Sequence, residues 1–325
     1  MRTVAIDLGG TAVKLGVFEH GRVVVADEFT AVDGGIGLDE VGGRIDRLLD
    51  GEHADAVGIA VPGIVDPEAS RLIAAHGKYA ELHDLDLSAW SRTRFGCPAV
   101  VENDARAALI GELADGSARG EQDAVLIVLG TGIGTAAILD GRIVRGRHGH
   151  AGILGGHVTV DLDGPRCPCG NLGCAEALAS TWALATDAAA GDLALGAALA
   201  ARLAETGTIG IRDLVETRRE PESAAILDRY LRAWAAVIVT QCHAFDPEVV
   251  VVTGGVMRAA DVILPALRER VHADLWSSSF RPTFVTPDDP ATSVLRGLAA
   301  LAAHDLDPAS TSTTDRTTKD GHDDR

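Results

Sequence analysis

The sequence predicts an α/β protein made of two similar units that face each other across a cleft. The main signal is a repeated local pattern. A short apolar strand runs into a glycine turn at Asp7-Leu8-Gly9-Gly10-Thr11 and again at Gly130-Thr131-Gly132-Ile133-Gly134, and each time another strand follows. Stretches with helical spacing separate the later strands. A chain of 325 residues is long for one core and comfortable for two.

The elements follow in order. Residues 4–7, 15–18 and 22–29 read as strands, with His20-Gly21 as the turn between the last two. Leu38, Val41, Ile45 and Leu48/Leu49 give helical spacing over 37–49. Residues 56–61 form a buried strand ending at Pro62-Gly63. Residues 99–102 form another, followed directly by a helix over 105–114. The second unit opens with a strand over 124–129, the glycine loop, a strand over 135–139 and a turn at Asp140-Gly141. Helices are expected over 175–190 and 221–245, a strand over 248–252 ending in Thr253-Gly254-Gly255, and a last helix over 291–303. Beyond residue 305 the chain has no aromatic residue and one leucine, so it is expected to be a disordered tail.

The formal net charge is −18, which repels phosphate backbones and argues against nucleic-acid binding. A nucleotide is still admissible, because a local glycine site and Mg²⁺ offset the global field. The opening MRTVAIDLGG meets glycines at once, and no apolar run is long enough for a signal peptide or a membrane span. The protein is therefore expected to be cytoplasmic. In a reducing compartment, a tight group of cysteines points to a metal rather than to disulfides. Cys97 and Cys242 sit in apolar surroundings and read as inert core residues.

The two glycine turns suit phosphate. Glycine lets the backbone approach closely and present its N–H groups, and Thr11 adds a hydroxyl donor. Lys14 lies just beyond, and Asp7 at the strand end can hold Mg²⁺ through water. Neither turn has the Gly-Lys-Ser/Thr ending of a P-loop, and neither leads into a helix as a dinucleotide fingerprint does. Taken singly, each reads equally well as a tight hairpin turn.

Cys167, Cys169 and Cys174 form a glycine-rich knuckle that needs a fourth ligand to complete a tetrahedral zinc site. His157 lies at the end of a strand-like segment, and His148 and His150 are alternatives. Glu102-Asn103-Asp104 ends a buried strand just before a helix. Asp104 could accept a proton from a sugar hydroxyl as that hydroxyl attacks a γ-phosphate, or it could simply cap the helix.

Together these motifs resemble the ROK family (repressors, open reading frames and sugar kinases). The resemblance runs over residues 3–303 through DLGGTAVK at 7–14, VPG at 61–63, END at 102–104, GTGIG at 130–134, CPCGNLGCAE at 167–176 and DPEVVVVTGGV at 246–256. It implies two actin-like (ribonuclease H-like) ATPase domains flanking a cleft. The first would cover 1–118 and be completed by a C-terminal helix over 291–304. The second would cover 119–290 and carry the zinc knuckle, with the tail at 305–325. It implies an ATP-dependent sugar kinase with Mg²⁺ and a structural Zn²⁺. Asp104 would be the base, and Gly63, Asn103, Asp104, His157 and Glu176 would contact the sugar. Asp7, Gly9, Gly10, Thr11, Lys14, Gly130, Thr131, Gly132, Gly134, Gly254 and Gly255 would hold the nucleotide. His157, Cys167, Cys169 and Cys174 would bind zinc, with the spacing from His157 to Cys167 favouring that histidine. Family habit implies a homodimer.

The departures from the family pattern concern the sugar. Leu154 stands three residues before His157, where family kinases carry a Glu that contacts the sugar near its anomeric end. The stretch 74–82, AAHGKYAEL, lacks the Asn of glucokinase-like members, and His76, Lys78 or Tyr79 would have to replace its contact. The leading expectation is a hexose kinase. The alternatives are an N-acetylmannosamine or N-acetylglucosamine kinase, or a non-catalytic sugar sensor of the same fold. An actin-like structural ATPase would leave the zinc knuckle and Glu176 without a role. The chain starts directly at the first strand, so the helix-turn-helix of the repressor members is not expected.

Overall fold

The computed structural model describes residues 1–9, 12–30, 37–68, 70–75, 82–83 and 85–305. The expectations placed on Gly10, Thr11, His76, Lys78, Tyr79 and the tail past 305 lie outside the described residues.

The first sheet begins with the strands β1 (Arg2–Leu8), β2 (Ala12–Glu19) and β3 (Arg22–Thr30). Helix α1 (Leu38–Leu49) leads to β4 (Ala56–Val61). A small hairpin of β5 (Ile64–Asp66) and β6 (Arg71–Ala74) follows, then α2 (Leu87–Phe95), β7 (Ala99–Asn103) and α3 (Asp104–Asp115). The sheet order is β3-β2-β1-β4-β7, with the first three strands antiparallel and the last three parallel.

The second sheet repeats this plan. Its strands are β8 (Ala124–Leu129), β9 (Ile133–Leu139) and β10 (Arg142–Ile143). The helices α4 (Ala175–Ala179), α5 (Thr181–Ala190), α6 (Ala197–Thr206), α7 (Ile211–Glu216) and α8 (Pro221–Phe245) come next. The chain closes with β11 (Val249–Thr253), α9 (Ala260–Asp274), β12 (Thr283–Val285) and α10 (Pro290–Asp305). The order β10-β9-β8-β11-β12 has the same strand senses as the first sheet. The turns agree as well. His20-Gly21 and Asp140-Gly141 both take left-handed φ angles, 51° and 78° in one and 49° and 70° in the other. That is the two-residue turn whose twist suits an antiparallel hairpin.

Two helices join the sheets by crossing between them. α3 follows β7 of the first sheet, yet its Ala105, Ala108 and Leu109 pack with Leu126, Ala136 and Val251 of the second. α10 follows β12 of the second sheet, yet its Leu295, Leu298 and Ala299 pack with Ala5 and Ala60 of the first. Leu298 is fully buried, worth about 2 kcal/mol. The two helices meet backbone to backbone. A Cβ on Gly111 would collide with the Ser293 carbonyl oxygen, and one on Gly297 would collide with that of Ala107. A buried hydrogen bond from Ser293 Oγ to Glu112 Oε1, 2.6 Å, fixes their register.

Three expectations need correction. The helix expected over 175–190 is broken. Ser180 is extended and caps α5 by accepting from the Ala183 N–H, so α4 and α5 meet at a corner. Buried donors from α8 satisfy the carbonyls freed there, with Trp234 Nε1 to Ala179 O at 2.8 Å and Tyr230 OH to Ser180 O at 3.3 Å. His157 lies in a 3₁₀ turn, Gly155–His157, rather than at a strand end. Gly156 fits directly against the Ile133 carbonyl, where any side chain would collide. The strand expected over 135–139 starts earlier, at Ile133. No helix among the described residues is long and apolar enough to cross a membrane.

The glycine contact generates a prediction. Gly297→Val forces the two helices apart and should destabilise the protein by about 3 kcal/mol. Urea unfolding should show a lower midpoint with an unchanged slope. A variant as stable as the wild type would contradict backbone contact between α3 and α10.

Candidate active site

A cavity of about 720 Å³ opens between the two sheets. Asp7, Gly9 and Lys14 line it from the first β-hairpin, Asp104 from the start of α3, and Gly254 and Gly255 from the end of β11. Asp7 and Lys14 are cross-strand partners in β1 and β2 and therefore point to the same side of the sheet. Gly254 has a φ of 98°, and a Cβ there would strike the Leu129 carbonyl, so the turn needs glycine.

Asp104 is not the cap of α3. Asn103 caps it, accepting from the Arg106 N–H at 3.2 Å, and Asp104 is the first helical residue. The Asn103 amide donates to the Gly63 carbonyl and to Asp104 Oδ1, both at 3.0 Å. Gly63, with a φ of 116°, has no room for a side chain beside Ala74 O. The turn after β4 thus holds Asn103, and Asn103 holds Asp104. Asp104 Oδ1 also accepts from the Ala105 N–H at 2.8 Å.

Glu102, just before this pair, is almost fully buried and is gripped by Arg106 and Arg145. Arg106, also buried, donates to the carbonyls of Val144, Gly149 and Ala151 at 2.7–3.2 Å. This network fastens the strand-to-helix junction of the first sheet to the loop after β10.

Burial dominates the electrostatics. It pushes the Asp7 carboxyl up to about 7, with the Asp104 carboxylate adding to the shift and Lys14 opposing it. Burial also raises Asp104, against hydrogen bonds that favour its ionised form. Two carboxyls facing one cavity therefore share a preference for keeping a proton, which a cation would remove. The Asp7 carboxyl lines the cavity, and a Mg²⁺ ion that keeps its own hydration would be held by it through water.

The knuckle assembles as its spacing suggests. The ligand atoms of His157, Cys167, Cys169 and Cys174 all lie within 4.8 Å of one another. Cys167 Sγ is 3.6 Å from His157 Nδ1, and Cys169 Sγ is 3.7 Å from Cys174 Sγ. Tetrahedral zinc with bonds of about 2.3 Å to sulfur needs sulfurs about 3.8 Å apart, so the set fits. Asn171 Nδ2 reaches Cys174 Sγ at 3.4 Å and the His157 carbonyl at 3.2 Å, supporting two ligands from outside the set. His148 and His150 are exposed and outside the cluster.

Other expected residues have different places. Gly63, Asn103, His157 and Glu176 do not line the cavity. Gly130, Thr131, Gly132 and Gly134 are also outside its lining, although Val128 of the preceding strand is part of it. Glu176 Oε2 instead accepts from the Ile133 N–H of that glycine loop at 2.8 Å. Sequence reasoning missed the far wall, made of Met257, Arg258, Thr286, Pro287 and Asp288. The Pro-Asp-Asp-Pro run at 287–290 was its available signal.

Comparison with known proteins agrees with this architecture. The ROK family model matches residues 3–305. The glucokinase of Thermotoga maritima is 33% identical over 293 residues, covering 87% of this chain and 91% of that protein. A ROK family glucokinase from Streptomyces griseus, in complex with glucose and AMPPNP, is 28% identical with a TM-score of 0.77, covering 93% of this chain and 99% of that one. The ROK hexokinase from Thermus thermophilus is 28% identical with a TM-score of 0.73, covering 94% and 99%. The fold is that of the actin-like ATPases.

Two predictions follow from the geometry. The neutral Asp7 carboxyl favours the folded state fully below its ordinary value of 3.8, and that contribution is lost as pH rises through about 7. Melting curves of the ligand-free, Mg²⁺-free protein should fall over this window, and Asp7→Asn should flatten the decline. An unchanged slope in the variant would contradict the assignment. Metal analysis should find about one zinc per chain, and Cys169→Ser should lose it together with thermal stability. A metal-free preparation with unaltered stability would refute the zinc site.

Proposed function

The chain belongs to the ROK family, and we propose that it is an ATP-dependent hexose kinase, working in the cytoplasm as a homodimer. The observation that carries this reading is a cavity that gathers Asp7, Lys14 and Asp104 between two sheets of the same plan. Phosphoryl transfer asks the protein mainly to position the reactants and to stabilise charge.

In this reading ATP lies across the cavity. Gly9, Gly10, Thr11, Gly130, Thr131, Gly132 and Gly134 bind its phosphates, and Gly254 and Gly255 bind its adenosine. Lys14 supplies positive charge. Asp7 would hold Mg²⁺ through water, and the ion would supply the charge that neutralises the phosphates. Gly63, Asn103, Asp104, His157 and Glu176 hold the hexose. Asp104 takes the proton of the attacking hydroxyl as its oxygen bonds to the γ-phosphorus. The bond from that phosphorus to the β–γ bridging oxygen breaks, and ADP leaves. His157, Cys167, Cys169 and Cys174 would hold zinc, which would fix the orientation of the His157 ring. The domains are taken as 1–118 completed by 291–304, and 119–290, so that Asp104 belongs to the first and opens the helix that packs on the second sheet.

A second reading, an N-acetylhexosamine kinase, draws support from Leu154. It is 40% exposed where a sugar-binding Glu is the family pattern, and it cannot accept a hydrogen bond from a hydroxyl. Loss of one such partner shifts specificity by orders of magnitude.

A coupled ADP-release assay across hexoses and N-acetylhexosamines tests both readings. One sugar should support turnover, and Asp104→Ala should lower kcat by about 10²–10⁴-fold while zinc content and melting temperature are kept. Equal ATP consumption by the wild type and the variant on every sugar would overturn the kinase.

A further inference from the structure

The zinc knuckle is joined to the glycine loop Gly130–Gly134 by a short route. Cys174 is the N-cap of α4, and Glu176 stands in that helix's first turn. Its Oε2 accepts from the Ile133 N–H at 2.8 Å. Gly132 permits the approach, because a Cβ there would press on that same oxygen. The corner after α4 adds two more ties to the loop. Thr181 N–H donates to the Gly130 carbonyl at 3.1 Å, and Trp182 N–H donates to the Thr131 carbonyl at 3.4 Å. The corner is itself fixed by Trp234 and Tyr230, both buried. The loop bonds to its own residues once as well, from Gly130 N–H to Gly132 O at 3.0 Å.

We infer that Glu176 is a positioning residue for the phosphate donor: it holds the glycine loop against the zinc knuckle, so that one carboxylate serves the nucleotide loop through Oε2 and leaves Oε1 for the hexose. This deepens the kinase reading above and rests on it. The Ile133 N–H aims at a carboxylate fixed two residues from a zinc ligand, so the loop conformation is set before nucleotide arrives. A loop ordered in advance loses less entropy on binding. The same carboxylate would then pass the presence of hexose to the loop through the shared side chain.

Calorimetry with AMPPNP and Mg²⁺, in the absence of any hexose, tests this on Glu176→Ala and Glu176→Gln. The glutamine carbonyl can still accept from Ile133, so its affinity should stay within about threefold of wild type. The alanine variant loses a hydrogen bond to a charged acceptor and should bind roughly tenfold more weakly or worse. Zinc content and melting temperature, measured on both variants, separate this from a collapsed knuckle. If Glu176 serves the hexose alone, both variants bind AMPPNP as the wild type does and only the KM for hexose rises, which overturns the inference and leaves the kinase standing. If the wild type itself does not bind AMPPNP, the kinase reading falls and this inference with it.

Discussion

The contact between the backbones of α3 and α10 is the constraint on which the rest of the structure depends. Each helix leaves one sheet and packs on the other, and Gly111 and Gly297 let them touch without intervening side chains. The exchange ties two sheets of the same plan together at their centre and leaves a cleft on one side. It also decides where a strand of the first sheet becomes a helix packed on the second. That junction is Asn103-Asp104. A carboxyl placed there faces groups from both sheets, and the support given by Gly63 and Asn103 removes its freedom to turn away.

Burying polar groups at this junction is costly unless each is satisfied. Glu102 meets that condition through two arginines and the Asn103 N–H. Arg106 meets most of it through three carbonyls of the loop after β10, although its Nε has no partner. The Asp7 and Asp104 carboxyls are treated differently. They are left facing a cavity in which burial favours their neutral forms, and a bound cation would reverse that preference. The structural charges are thus paired with one another, while the two carboxyls in the cavity are left to respond to what enters.

Much of this was legible in the sequence wherever the signal was local. The two strand-glycine-strand units, the turns His20-Gly21 and Asp140-Gly141, and the cysteine knuckle each depend on a few adjacent residues whose conformational needs are specific. The features that escaped depend on distant partners. The corner at Ser180 exists because Trp234 and Tyr230, fifty or more positions on, satisfy its carbonyls, and an alanine-rich stretch gives no local sign of a break. β12 has three residues, β10 has two, and the pair β5 and β6 forms a separate two-stranded sheet, so none shows a period. Thr286, Pro287 and Asp288 of the cavity's far wall come directly after β12 and escaped with it. The link from Glu176 to Ile133 spans forty-three positions, and no spacing rule would have suggested it.

The central claim is that the position of the Asp104 carboxylate, and not only its charge, carries the reaction. Turnover by Asp104→Glu tests it most directly, measured with the sugar that the wild type phosphorylates fastest. The variant keeps the charge and adds one methylene, which displaces the carboxylate by about 1 Å in a site where such a shift costs roughly 10²-fold. The account predicts a kcat reduced by about that factor, with AMPPNP affinity and zinc content retained. A variant turning over at nearly the wild-type rate would show that the junction between the two sheets does not set the geometry of the base.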